Sequence, residues 1–351
     1  MKSLLRYYAK KRIPVLSIVV FIALVISVAI TATTAMVVRF RTDRGVVEYV
    51  SNTYLYYLTT MMAIFATLIP IYEFSFKMRK NSIDLFYSLP VKRNKLYIAK
   101  YLIGMVELFI IFTVCFIYVF IFAAISVNGR DVEFHIVYYV PYYFTILGLG
   151  FLLYNFIAFF YTRGNSAFDG ILLTLLSVFA VTLVASFVYA IIGKIQEPRY
   201  HPYTGQAFNF TAYSLIYHLT SIYSTLLTKS VSHPTPTVYL PSFITMLIVF
   251  VALVPLFFIL NNSKKAEDTG DINTEWYLYK TFIPLYIICI YATITAHPFY
   301  MILVPVAGYV GYVINNRSFK IKKWDIIFLA SSTLIGAVIG ILMTTDITIS
   351  I

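Results

Sequence analysis

Charged residues are scarce in this sequence of 351 residues. Only 12% are charged, whereas 60% are hydrophobic. Soluble domains carry about 25% charged residues, so too few polar groups are present here to cover a water-exposed surface. The composition therefore excludes an ordinary soluble domain and predicts a chain that lies largely in lipid. The phosphate-binding pattern G-x-x-x-x-G-K-[ST] is also absent, which excludes a nucleotide-binding loop of that type in this chain.

Cysteine is nearly absent as well. The two cysteines, Cys115 and Cys289, both lie in apolar runs, so we interpret them as small buried hydrophobic residues rather than as a disulfide or a metal site. The five histidines show no metal-ligand spacing, and no metal ion is expected in this chain. They are His135, His201, His218, His233 and His297.

Long apolar runs dominate the sequence. A helical span needs about 20 mostly apolar residues, and its backbone must bond within the segment, so each long run predicts a helix. The sequence therefore predicts an all-α polytopic bundle of about nine spans. The predicted spans are 14–38, 54–72, 102–127, 136–161, 171–192, 239–260, 281–296, 298–314 and 326–343.

The basic residues predict a cytoplasmic N-terminus. With that orientation, 20 of the 27 Lys and Arg residues fall in the inner segments, as the positive-inside rule requires. The net charge of +12 is explained in the same way. No basic, aromatic-interleaved soluble segment is present, so nucleic acid is not an expected partner.

The polar segments divide the chain into three parts. Residues 1–260 form the predicted six-span core, with a long outer loop at 194–238 that contains a predicted amphipathic helix between Phe208 and Leu227. Residues 261–280 form a predicted cytoplasmic linker. Residues 281–351 form a predicted membrane hairpin and a last span.

The segment between the second and third spans is the most informative one. Asn81 or Ser82 can cap a short helix, and Leu89-Pro90 ends it because the residue before proline avoids the α region. Basic residues lie on both sides. The pattern predicts a short amphipathic helix near 82–88, held crosswise at the cytoplasmic face. An ordinary basic inner loop is the alternative.

This segment, KMRKNSIDLFYSLPVKRNKLYIAKYL, resembles the signature of type-2 ABC transporter permeases, in particular those of low-GC Gram-positive bacteria. In that family a short coupling helix is followed by Leu-Pro, basic residues and a lysine at the head of the next span. The resemblance implies that a small set of residues couples to an ATPase. They are Ser82, Ile83, Asp84, Leu85, Phe86, Leu89, Pro90 and Arg93.

The resemblance also implies partners and a function. The chain would be the permease subunit of an exporter in the bacterial plasma membrane, surrounded by membrane lipid. It would pair with a second permease, identical or related, and with two copies of an ABC ATPase subunit. ATP and Mg would bind to that ATPase, and this chain would bind no cofactor and catalyse no reaction. The expected substrate is hydrophobic or amphipathic, such as a peptide, an antibiotic or a lipid-like molecule.

Two carboxylates lie in or beside apolar runs. Glu107 falls within the third span, where a charge is expensive and usually faces the bundle interior or a cavity. We predict that Glu107 and Asn155 lie on the substrate path. The alternative is a structural role for Glu107, paired with Asn155 or Lys100. Glu73, at the end of the second span, is expected at the membrane–water interface.

Two other classes of protein remain open. One is an integral membrane enzyme that acts on lipid or peptide substrates and uses the outer-face histidines, although no paired acids or metal spacing support it. The other is an ion-coupled carrier, which would need more charged groups within the membrane than Glu107 alone.

Overall fold

Helices make up nearly all of the computed structural model. It describes residues 2–33, 37–42, 45–50, 53–78, 93–127, 139–196, 248, 251–252, 279–294, 298–316 and 318–344. The helices are α1 (Lys2–Thr33), α2 (Thr53–Phe74), α3 (Arg93–Val127), α4 (Tyr139–Arg163), α5 (Ala167–Gln196), α6 (Tyr279–Ile294), α7 (Pro298–Asn316) and α8 (Lys323–Thr344). A 3-10 turn, Ser75–Met78, continues α2.

Each helix corresponds to one of the predicted apolar runs, so the helical fold class is confirmed. Five of the described helices, namely α1, α2, α3, α4 and α8, are long and apolar enough to cross a membrane. The predicted run 239–260 lies almost wholly outside the described residues. The count of nine spans and the cytoplasmic N-terminus therefore stay predictions.

Two helices begin well before their apolar runs. α1 begins at Lys2 and includes the basic residues before Pro14, and α3 begins at Arg93 instead of Leu102. At 35 residues, α3 is about 52 Å long, whereas the hydrocarbon core is about 30 Å thick. The basic amino-terminal turns of α3 therefore lie outside the hydrocarbon core in a spanning orientation.

A short β-hairpin connects α1 to α2. Val37–Thr42 and Gly45–Val50 pair antiparallel, with Val37 opposite Val50 and Thr42 opposite Gly45. The sequence predicts a helical span up to Val38, but α1 ends at Thr33 and Val37 and Val38 lie in the first strand. The rest of the hairpin falls in a predicted connection, because six residues with alternating polarity are too short to register as a span. The alternation of Val38 and Phe40 with Arg39 and Arg41 is typical of a strand.

The outer surface of α1 is apolar. Ile18, Phe21, Ile22 and Val25 are all exposed, and their spacing puts them on one face. A contiguous apolar face of this kind is rare on soluble monomers, and it fits contact with lipid. The opposite face packs on α3, where Thr31 and Tyr118 share a hydrogen bond of 3.0 Å.

The first five helices pack around a buried core, in which α1 packs mainly on α3 rather than on α2. α2 packs on α3 and α4, and the hydroxyl of Tyr142 donates to the carbonyl of Leu55 at 2.8 Å. α4 and α5 are joined by a turn in which Ser166 caps α5, since its Oγ accepts from the Asp169 amide at 3.2 Å. A Cβ at Gly164 would collide with the backbone of Gly170, so glycine is needed there.

The carboxyl-terminal helices assemble around α6. This helix packs against α5, α7 and α8. Small residues allow the close approach: a Cβ at Gly308 would press against Ile287, and one at Gly336 would press against Tyr291. α6 is therefore the main contact between α7, α8 and the rest of the described chain.

Candidate functional site

The described residues flank the predicted coupling segment but do not include it. Ser82, Ile83, Asp84, Leu85, Phe86, Leu89 and Pro90 lie outside them. The 3-10 turn after α2 ends at Met78, and Arg93 is the first residue of α3. The predicted amphipathic helix at 208–227 and nearly all of the loop 194–238 and of the linker 261–280 also lie outside, although residues 194–196 continue α5 and residues 279–280 begin α6.

An ion pair between α1 and α2 lies close to Met78 and Arg93, the described residues that flank the predicted coupling segment. Arg12 donates from Nη2 to Oε1 of Glu73, which is in the last turn of α2. The Arg12 guanidinium also lies over the ring of Tyr72, with 4.1 Å between Cζ and the ring centroid. Arg12 is thus held by a carboxylate and by an aromatic face on the same helix.

α3 adds a base and an acid to this pair. The Nζ atom of Lys100 donates to the backbone carbonyl of Glu73 at 3.2 Å and lies 3.9 Å from its Oε2. Oε1 of Glu107 lies 3.5 Å from Nε of Arg12. We call Arg12, Glu73, Lys100 and Glu107 the ion cluster. It joins three helices through two bases and two acids.

The ion cluster is largely buried, and its two positive charges balance its two negative charges. Glu73 is only 3% exposed, and Lys100 and Glu107 are also buried. Moving an unpaired charge out of water costs several kcal/mol, so buried ions persist only with opposite charges and hydrogen bonds nearby. Lys100 has further support from aromatic rings, since its Nζ lies 4.1 Å from the centroid of Phe76 and 5.6 Å from that of Tyr8.

A cavity of about 780 Å³ adjoins the ion cluster. It lies between α1, α2 and α3. Its charged lining residues are Lys11, Arg12, Glu73 and Lys100. Apolar side chains, including Val15, Leu68, Ile71 and Ile103, line the rest. We call this space the cationic cavity, since bases outnumber acids among the described residues of its lining.

A second cavity is apolar. It has a volume of about 450 Å³ and lies among α5, α6 and α7, next to Gly308 and Gly311. Its lining contains aliphatic and aromatic side chains such as Leu172, Phe282 and Ile287. None of the described residues that line it is charged, so this cavity suits an apolar group.

The two predicted path residues have different partners. Glu107 pairs with Arg12. The sequence suggested Asn155 or Lys100 as its partner instead. Asn155 instead accepts a hydrogen bond of 2.6 Å from the hydroxyl of Tyr101, and its own amide donates to the carbonyl of Phe151 at 2.7 Å. Both side chains are buried, and their place on a substrate path stays a prediction.

Sequence reasoning missed the roles of Arg12 and Glu73. The position of Glu73 at the membrane–water interface stays a prediction, and the structure adds that Glu73 is buried in the protein, where Arg12 and Lys100 approach it from α1 and α3. A signal was present. Glu73 is a carboxylate directly after the second predicted span and Glu107 one within the third, and Arg12 and Lys100 are bases at the same predicted end of the bundle.

The chain matches no protein-family model, no curated protein and no solved structure. The class that the fold defines is a helical protein in which five of the described helices are long and apolar enough to span a membrane. A more specific function rests on the residues of this chain.

Proposed function

We propose that this chain is the permease subunit of an ATP-driven exporter of the type-2 ABC class, in a bacterial plasma membrane. The observation that carries the proposal is the segment from Lys77 to Leu102, whose capped, proline-ended pattern resembles the coupling segment of that class. The chain has no nucleotide-binding loop of its own. ATP and Mg would therefore bind on a partner ATPase.

The ion cluster supports this proposal through its position. Met78 and Arg93 bracket the predicted coupling helix, and Glu73 and Lys100 lie within two turns of those residues. A push on the segment between them moves the ends of α2 and α3 together. Arg12 pairs with carboxylates on both helices, so α1 moves with them. Such a rigid connection is what a force-transmitting permease needs at this point.

Nine spans with a cytoplasmic N-terminus belong to the same proposal, as does a second permease, identical or related. The exported substrate would be hydrophobic or amphipathic, of the peptide, antibiotic or lipid-like kind. The span count follows from the apolar runs, the orientation from the distribution of basic residues, and the second permease and the substrate class from the resemblance.

The decisive experiment is copurification with an ATPase. The tagged full-length chain is purified from the membranes of its own host, and bound proteins are identified by mass spectrometry. We expect an ABC ATPase at two copies per pair of permeases. Leu85→Asp and Phe86→Asp should each abolish its recovery, because a carboxylate on the apolar face of the coupling helix opposes docking.

Phe319→Asp is the matched control for this experiment. Phe319 is an exposed aromatic residue in the connection between α7 and α8, on the same predicted cytoplasmic side. This variant should bind the ATPase as the native chain does. Equal recovery of the ATPase with Leu85→Asp and Phe86→Asp would remove the coupling assignment.

An ion-coupled carrier is a second candidate, and the ion cluster favours it. Ionisable residues within membrane spans often mark ion and proton pathways. Glu107 lies within a predicted span and meets three charged residues from the ends of neighbouring helices beside a cavity. A carrier of this kind is driven by a pH or ion gradient in proteoliposomes without any ATPase. Uptake or efflux under a gradient alone would favour this candidate over the ATP-driven exporter.

A further inference from the structure

The cationic cavity has a size and position that suit an amphiphile. Its volume of about 780 Å³ falls within the range of about 300–1,000 Å³ that is usual for ligand sites. α1 packs along α3 and contacts α2 much less. The cavity therefore occupies the gap between α1 and α2, with α3 behind it.

The lining of the cavity is divided into two ends. α1 and α2 run antiparallel, since Arg12 meets Glu73 while Ser27 meets Met61. Val15 lies further along α1 than Lys11 and Arg12, and Leu68 precedes Glu73 on α2. Val15 and Leu68 are therefore displaced from the ion cluster in the same direction, toward the middle of the bundle. The cavity thus has an apolar inner end and a charged outer end.

The charged end favours an anion. Lys11, Arg12 and Lys100 line it, against the single carboxylate of Glu73. In the ion cluster Glu73 and Glu107 balance Arg12 and Lys100. Neither carboxylate therefore offsets Lys11, whose side chain is exposed. Basic pockets between membrane helices are the sites that hold the head groups of anionic lipids.

We propose that the cationic cavity binds an anionic phospholipid. The phosphate lies against Lys11 at the charged end, and an acyl chain lies along Val15, Leu68 and Ile71. The exposed side chains of Val15, Leu68 and Tyr72 leave the cavity open to the lipid phase between α1 and α2. This site is independent of the proposed export function, because its occupation requires no ATPase.

The two ends together select this ligand over simpler ones. A free phosphate satisfies the bases but leaves the apolar end without contacts. A neutral lipid fills the apolar end but places no negative charge beside Lys11. An anionic phospholipid satisfies both ends, so its binding should depend on both sets of residues.

The test is native mass spectrometry of the full-length chain purified in a neutral detergent. The protein is titrated with phosphatidylglycerol, with phosphatidylcholine of the same acyl chains, and with glycerol phosphate. We expect phosphatidylglycerol to bind at least about fivefold more tightly than phosphatidylcholine, because one basic residue near an anionic lipid contributes about that factor. Glycerol phosphate should bind far more weakly than either.

Matched variants separate the site from general surface attraction. Lys11→Gln should weaken phosphatidylglycerol binding about fivefold, whereas Lys10→Gln, at an exposed lysine that does not line the cavity, should leave it unchanged. Leu68→Trp should fill the apolar end and weaken binding. Ile64→Trp, one turn away and also exposed, should not.

Three outcomes would overturn the proposal. Equal affinities for phosphatidylglycerol and phosphatidylcholine would show that charge is not selected. Equal losses in Lys11→Gln and Lys10→Gln would show attraction to the surface rather than a site. Glycerol phosphate that binds as tightly as phosphatidylglycerol would show a site for a free anion. A failed ATPase copurification leaves all three readouts unaffected, so the two proposals stand or fall separately.

Discussion

Arg12 on α1 and Glu73 on α2 form an ion pair although they are 61 positions apart in the chain. Both side chains are largely buried, with 13% and 4% of their surfaces exposed. The pair lies where the described part of α2 approaches the predicted coupling segment. It is a direct link between α1 and α2, which otherwise contact each other little.

Arg12 should contribute more to stability than any other base on α1. Arg12→Gln leaves Glu73 and Glu107 with one base fewer, and breaking a buried ion pair costs about 3–5 kcal/mol. We expect a loss of that size in the free energy of unfolding, measured by SDS titration in mixed micelles. Arg6→Gln, at an exposed base on the same helix, should change it by less than about 0.5 kcal/mol.

A double-mutant cycle should rank the two carboxylates that face Arg12. Glu73 hydrogen-bonds to Arg12, whereas Glu107 lies 3.5 Å from Nε of Arg12. The coupling free energy of Arg12→Gln with Glu73→Gln should therefore exceed that of Arg12→Gln with Glu107→Gln. The same SDS titration measures both cycles. A larger coupling for Glu107 would contradict the geometry of the ion cluster.

Two glycines in helix interiors should respond differently to alanine. A Cβ at Gly104 would collide with the hydroxyl and ring of Tyr154, which is fully buried, whereas a Cβ at Gly148 meets no atom within 4 Å. Gly104→Ala should lower the unfolding free energy by about 1–3 kcal/mol, since a buried ring cannot move aside. Gly148→Ala should be neutral or stabilising by up to about 1 kcal/mol. Thermal unfolding in detergent compares the two, and equal effects would argue against the packing of α3 on α4.

The hydrogen bond between Tyr101 and Asn155 should stabilise the packing of α3 on α4. Tyr101→Phe removes the donor that is 2.6 Å from Oδ1 of buried Asn155, and an unsatisfied buried acceptor costs about 1–3 kcal/mol. Tyr309→Phe removes the hydroxyl from an exposed tyrosine and should change stability by less than about 0.5 kcal/mol. Thermal unfolding measures both variants. A loss in Tyr309→Phe as large as in Tyr101→Phe would point to a general effect of the substitution.

The predicted orientation can be read from cysteine labelling in intact cells. Cys115 and Cys289 are buried, so the native chain should react little with an impermeant maleimide. Lys10→Cys and Lys320→Cys, at exposed positions, should react only after permeabilisation, whereas Lys229→Cys in the predicted outer loop should react at once. Lys10 and Lys320 flank eight of the predicted spans, an even number. Labelling from opposite sides would contradict the span count.

The helices could be predicted because lipid leaves the backbone few alternatives. The predicted span Tyr54–Tyr72 agrees within two residues with helix Thr53–Phe74, and the predicted span Pro298–Ile314 agrees within two residues with helix Pro298–Asn316. The length of an apolar run is enough to predict such bounds. The amino-terminal part of α1 was missed because its charged residues do not mark a span. Helix continues through them where Arg12 finds partners on α2 and α3.

The candidate site could be predicted only in part. The burial of Glu107 followed from its place within an apolar run, and its role as a partner in an interhelical pair was one of the two alternatives considered. The identity of that partner depends on which faces of α1 and α3 meet, and a single sequence does not encode that in local spacing. The same holds for Tyr101 and Asn155, which are 54 positions apart.

The position of α6 has a consequence for motion in the carboxyl-terminal part. In the described chain α7 and α8 reach the first five helices mainly by way of α6, whose Tyr286 hydroxyl donates to the carbonyl of Leu176 on α5. The last three helices are thus joined to the others mainly through the contact between α6 and α5. A tilt of α6 at this contact carries α7 and α8 with it as one rigid unit, and it leaves the ion pairs among α1, α2 and α3 intact.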